Sequence, residues 1–126
     1  MATWKEISID NLLAAQNLFE KGRYRSCISR AYYAAYCAAT NEIVMKVTTF
    51  PYGWKNPPHQ KVPDFILFNL SISQAKKENV SKLIIQLREA REDADYRPNK
   101  LVDETTALDC IRDASTIQEE LWGTDK

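Results

Sequence analysis

Residues 23–47 read "RYRSCISRAYYAAYCAATNEIVMKV", with neither glycine nor proline anywhere in the run. Cys27, Ile28, Ala31, Ala34, Ala35 and Ala38 recur at helical spacing, and their short side chains let a neighbouring helix approach closely. The pattern predicts one unbroken helix from about Tyr24 to Val47. A helix with so small-sided a face belongs at the centre of a bundle, touched by both the first and the last helices.

The flanking segments read as helices too. A first helix runs from Thr3 or Ser8 to Lys21. Thr3 with Glu6 fits a capping box, Ser8 is a second candidate cap, and Gly22 is a stop signal. Its apolar stripe is Ile9, Leu12, Leu13, Gln16 and Phe19. After the central run, "TTFPYGWKNPPHQKVP" (48–63) holds four of the five prolines and reads as an irregular loop. Its aromatic residues Phe50, Tyr52 and Trp54 are expected to fold back over the core. A short helix with Pro63 in its first turn carries Phe65, Ile66, Leu67 and Leu70. Ser71 or Ser73 caps the next helix, with stripe Val80, Leu83, Ile84, Leu87 and Ala90 or Arg91, ended by Pro98. Asp103 caps the last one, Ala107, Cys110, Ile111, Ala114, Ile117 and Leu121 mark its buried face, and Gly123 closes it. The expectation is an all-α bundle of four long helices plus an additional short one, a single domain over 1–126.

Composition narrows the function classes. Seventeen basic and seventeen acidic residues cancel to zero net charge, which argues against a protein that coats nucleic acid with a basic face. A local phosphate site remains compatible with a neutral total. The three cysteines, Cys27, Cys37 and Cys110, lack metal-ligand spacing and sit in helical patterns, so they read as reduced core thiols of a cytoplasmic protein. His59 is the only histidine, and no metal site or cofactor is expected. No signal peptide or membrane-spanning run is expected either.

The chemistry concentrates in residues 88–97, "REAREDADYR". Arg88, Arg91 and Asp95 share one helical face, with Asp95 able to brace Arg91, while Ala90 and Ala94 turn toward the core. Tyr96 falls where the helix runs into the Pro98 turn. In the central helix, "SRAYYAAY" makes Arg30 and Tyr33 neighbours, and Tyr32 and Tyr36 line another face. An Arg91–Asp95 pair on a solvated helix is worth only a few tenths of a kcal/mol, and such pairs are commoner than sites. The functional alternative is an arginine held for phosphate, whose planar fork fits phosphate oxygens.

"FEKGRYRSCISRAYYAAYCAA", His59 after a proline-rich loop, "LREAREDADYRP" and "ALDCIRDASTIQEEL" together resemble the HEPN superfamily, in the branch with a tyrosine-rich central helix and an "R..ADY" ending. The resemblance spans about Ser8 to Leu121. It implies an up-and-down bundle that is usually a homodimer. It also implies that the central-helix face carrying Arg30 and Tyr33 lies against the helix bearing "R..ADY", so that Arg30, Arg91, Asp95 and Tyr96 meet. Many members are metal-independent ribonucleases with an arginine followed four to six residues later by histidine at the dimer cleft. Others are toxins paired with a minimal nucleotidyltransferase, and some only bind nucleotides or partners.

Arg91 matches the family's arginine, but Tyr96 stands where the histidine would be. RNA cleavage needs a proton acceptor and a donor near neutral pKa, and tyrosine starts near 10. His59 replaces the missing histidine only where its loop folds over Arg91. Its ordinary place would be capping the short helix. Three readings follow: a HEPN domain binding nucleotide, RNA or a partner through this Arg/Tyr site, within a toxin–antitoxin or defence system; a ribonuclease using Arg91 with Tyr96 or His59; or a non-catalytic interaction module.

Overall fold

The computed structural model describes residues 1–123; residues 124–126 of the expected domain lie outside them. Five α-helices follow in order: α1 Trp4–Glu20, α2 Tyr24–Lys46, α3 Val62–Asn69, α4 Gln74–Tyr96 and α5 Glu104–Trp122. Short 3-10 turns at Pro51–Gly53 and His59–Lys61 interrupt the long loop. There is no strand among the described residues.

Side-chain contacts fix the helix directions. Ser8 of α1 meets Ala34, and farther along Asn11 meets Arg30, so α1 and α2 run antiparallel. Tyr33 meets Arg91 while Ser29 meets Asp95, which makes α4 antiparallel to α2 as well. Lys5 lies over the Trp122 ring and Ser8 bonds Gln118, so α5 is antiparallel to α1. The long helices therefore alternate up and down, with α2 packed against α1, α3, α4 and α5. The expected four-helix bundle with an extra short helix is what forms.

The central position of α2 follows from its sequence. Ala31, Ala34, Ala35, Ala38 and Ala39 are fully buried, and so are Cys27, Ile28 and Ile43. Tyr32 and Tyr36 are buried as well, so most of the helix's circumference is covered by its neighbours while Ser26 and Arg30 stay exposed. All three cysteines are buried, and burial pushes the thiols up, to about 11 for Cys27 and Cys37 and about 12 for Cys110.

Local signals end the helices much as the sequence indicates. Thr3 closes a capping box with Glu6, worth about 1 kcal/mol, Ser73 caps α4 and Asp103 caps α5. Two expectations are corrected. Ser8 is not a cap; it lies buried inside α1, donating to the Ala34 carbonyl at 2.6 Å and accepting from Gln118 Nε2 at 3.1 Å. The inward face of α1 runs through Trp4, Ser8, Leu12, Ala15 and Phe19, leaving Ile9 and Leu13 exposed. The buried serine pairs with Gln118, a partner 110 residues away, and so shifts the face by one position.

Candidate functional site

Arg91 is half-buried on α4 and held on three sides. Its Nε donates to Asp95 Oδ2 at 3.0 Å, and its Nη2 donates to the hydroxyls of Tyr33 at 3.0 Å and Tyr96 at 3.2 Å. The guanidinium carbon lies 5.3 Å from the centres of both those rings and 5.7 Å from that of Tyr32, within cation–π range. Ser29 Oγ donates to the same Asp95 oxygen at 3.1 Å, so the carboxylate is pinned from α2. Nη1 of Arg91 has no protein partner among the described residues. Arg88, one turn earlier and half-buried, also has none.

His59 belongs to this cluster. The 3-10 turn His59–Lys61 carries its ring onto α2, stacked on Tyr36 with centroids 4.1 Å apart and edge-on to Tyr33 at 5.9 Å. Its Nδ1 lies 2.6 Å from the Tyr32 hydroxyl. The loop is also fastened by Tyr36, whose hydroxyl donates to the carbonyl of buried Pro57 at 2.7 Å. The expectation that His59 caps the short helix is therefore corrected: stacking on the tyrosines draws it inward. Burial, then the charges of Arg91 and Arg88, lower its pKa from the ordinary 6.5, so it is neutral at pH 7.

Hydrogen-bond counting orients the His59–Tyr32 contact. Burial pushes the Tyr32 hydroxyl pKa up against the charges of Arg88 and Arg91, so the proton stays on the phenol. Tyr32 is almost wholly buried, and Nδ1 is the one acceptor its hydroxyl has among the described residues. Donation from Tyr32 to Nδ1 satisfies both groups and leaves His59 with its proton on Nε2, as a neutral donor.

Of the residues singled out in the sequence, Arg91, Tyr96, Tyr33 and Asp95 meet directly, and His59 and Arg88 lie beside them. Arg30 does not join them. It is exposed and its Nη1 donates to Asn11 of α1 at 3.2 Å, because it faces α1 rather than α4. Helical spacing makes Tyr33 a neighbour of both Ser29 and Arg30, and only the position of α4 selects Ser29. The sequence reading also misses Arg25. Its guanidinium donates to the carbonyls of Asp93, Ala94, Arg97, Pro98 and Lys100 at 2.6–3.3 Å, which fastens the end of α4 and the turn beyond it. The Ala94 carbonyl is an orphan acceptor of the helix C-terminus, because Pro98 four residues on has no N–H, whereas those of Asp93 and Arg97 also accept from the Arg97 and Lys100 amides.

The loop aromatics divide. Phe50 packs edge-on against Phe65 with centroids 5.4 Å apart, as expected of a residue covering core. Tyr52 does not fold back; it is 91% exposed and sits in the left-handed region at φ 58°.

Neither the curated proteins nor the solved structures contain a match to this chain. The family model for the HEPN domain matches residues 1–122, nearly the whole length, in keeping with the helical bundle described above. The chain belongs to the HEPN domain family.

Proposed function

We propose that the chain binds the phosphate of RNA or of a nucleotide through Arg91, with Arg88, Tyr33, Tyr96 and His59 around it. One observation carries this reading. Arg91 is fixed by Asp95, Tyr33 and Tyr96, yet among the described residues its Nη1 has no partner, and each tyrosine that accepts from Arg91 keeps its own hydroxyl proton to donate. The result is a set of donors around a positioned guanidinium, which suits phosphate oxygens. Arg88 adds a second charge, and His59 adds its Nε2–H. The family's frequent link to ribonuclease or nucleotide-related roles supports the same ligand class. So local a positive site suits one or two phosphates of a single strand better than the face of a duplex.

Titration of single-stranded RNA and of a nucleoside triphosphate against wild type and Arg91→Ala tests this. Binding should fall steeply in the variant. Binding indifferent to Arg91 would sink the site and leave a plain interaction module.

Metal-independent RNA cleavage is the second reading, favoured by a neutral histidine in the same cluster as Arg91. Here Nε2 of His59 would take the 2′-hydroxyl proton as that oxygen attacks phosphorus. The bond to the 5′-oxygen breaks, Tyr96 returns a proton to it, and Arg91 holds the phosphorane charge. This requires the proton of His59 on Nδ1, which deprives the buried Tyr32 hydroxyl of its acceptor. Phosphate binding therefore stands first. Cleavage that survives EDTA and drops by about 10²-fold or more in both His59→Ala and Arg91→Ala would reverse that order.

A C2 homodimer that brings two copies of Arg91 into one cleft completes the proposal, with a minimal nucleotidyltransferase as partner in a toxin–antitoxin or defence pair. Sedimentation at tens of micromolar tests the dimer, and the neighbouring gene tests the pairing.

A further inference from the structure

Aromatic residues of the proline-rich loop and of α3 line a groove to which Lys61 of the His59 turn contributes. Tyr52 and Trp54, with ring centroids 5.4 Å apart, line it together with Phe65 and Phe68 of α3. Phe68 is 80% exposed and Tyr52 is 91% exposed, so these two rings bury little surface in the monomer. Lys61, Asp64 and Asn69 supply the polar side chains of the lining. The cleft encloses about 290 Å³, at the lower bound for small-ligand sites and too little for a helix.

We infer that this groove is a stacking slot for one unpaired nucleobase of an RNA strand whose phosphate lies at Arg91. The inference rests on the phosphate-binding reading and extends it to a second subsite. Continuity is the first argument. Lys61, in the wall of the groove, and His59, in the phosphate cluster, belong to one 3-10 turn, with an axial rise between them of roughly 4 Å. The turn therefore joins the two places, and in the proposal one strand passes over it. Chemistry is the second argument. Flat aromatic faces accept any base by stacking, Lys61 suits the adjoining phosphate, and Asp64 and Asn69 offer hydrogen-bonding partners to a base edge. Backbone strain is the third. Tyr52 holds a left-handed conformation that an aromatic residue rarely adopts, and strain of this kind gathers at ligand clamps.

Fluorescence anisotropy with a labelled single-stranded RNA hexamer, intact or with one abasic nucleotide placed at each position in turn, tests the slot. Two variants remove a ring without disturbing the fold: Phe68→Ala, on an exposed side chain, and Tyr52→Asn, because asparagine tolerates the left-handed region. Each should weaken binding of intact RNA by roughly 5- to 150-fold, the loss expected for one stacked base. One abasic position should cause the same loss in wild type and no further loss in Phe68→Ala. Arg91→Ala should weaken intact and abasic RNA alike. If Phe68→Ala binds intact RNA as wild type does while Arg91→Ala does not, the slot is refuted and the phosphate reading stands. The same holds if wild type binds pyrophosphate but not RNA. If Phe68→Ala loses affinity and Arg91→Ala does not, the phosphate reading falls, and the inference falls with it in its present form, leaving a base slot unlinked to Arg91. A change of sedimentation in Phe68→Ala without RNA would assign the groove to a protein interface and overturn the inference.

Discussion

Tyr32 and His59, 27 residues apart in sequence, share a 2.6 Å hydrogen bond between the phenol oxygen and Nδ1. The bond joins the central helix to the proline-rich loop and brings the chain's one histidine into the cluster around Arg91. It also leaves Nε2 as the imidazole nitrogen that carries the proton.

His59 gives the fold a pH dependence. Its pKa is lowered in the folded state, so between that value and the ordinary 6.5 the unfolded chain binds more protons than the folded one. Stability should therefore fall as pH drops through 6.5 toward the folded pKa, and level off below it as far as this group is concerned. Urea unfolding between pH 5 and 7.5 should show that slope in wild type and lose it in His59→Asn. An equal slope in both proteins would assign the pH dependence elsewhere.

Arg91→Lys should resemble Arg91→Ala in phosphate binding. An ammonium keeps the charge but cannot hold Asp95, Tyr33 and Tyr96 while leaving a second edge free. Arg88→Ala should instead reduce the salt dependence of RNA binding by about one phosphate contact, with the rest of the site intact. Affinity measured over a range of salt concentrations separates the two effects.

Arg25 supports the site from below. Arg25→Ala removes a shared donor from five carbonyls at the end of α4 and in the turn beyond it, two of which keep a backbone N–H partner, and should cost on the order of 2 kcal/mol in urea unfolding. Hydrogen exchange should rise first at the C-terminal turn of α4, around Asp95 and Tyr96. Lysine cannot span the same set of acceptors, so Arg25→Lys should recover little.

The buried pair Ser8 and Gln118 makes a double-mutant cycle informative. Ser8→Ala takes the hydroxyl acceptor from the Gln118 amide, leaving it the long 3.5 Å contact to the residue 8 carbonyl, and should cost about 1–3 kcal/mol. Adding Gln118→Leu should return part of that loss, because the unsatisfied amide is gone. Strictly additive losses would mean the two side chains do not depend on each other.

The sequence by itself determined the elements. The break-free run from Arg23 to Val47, the caps Thr3, Ser73 and Asp103, and the stops at Gly22 and Pro98 act over one or two helical turns, and such local terms can be read along the chain. The pairing of Arg91 with Asp95 was legible for the same reason, since residues four apart on a helix must be neighbours. Tertiary structure alone decided which central-helix face meets α4. Ser29 and Arg30 are equally plausible beside Tyr33 by spacing, and packing against α1 turns Arg30 toward Asn11. It also decided that His59 joins the cluster and that Arg25 gathers the carbonyls at the end of α4. These contacts join residues 27 to 75 positions apart, and no periodicity along the chain encodes them. They exist because burying the apolar faces of the helices together leaves these polar groups facing one another.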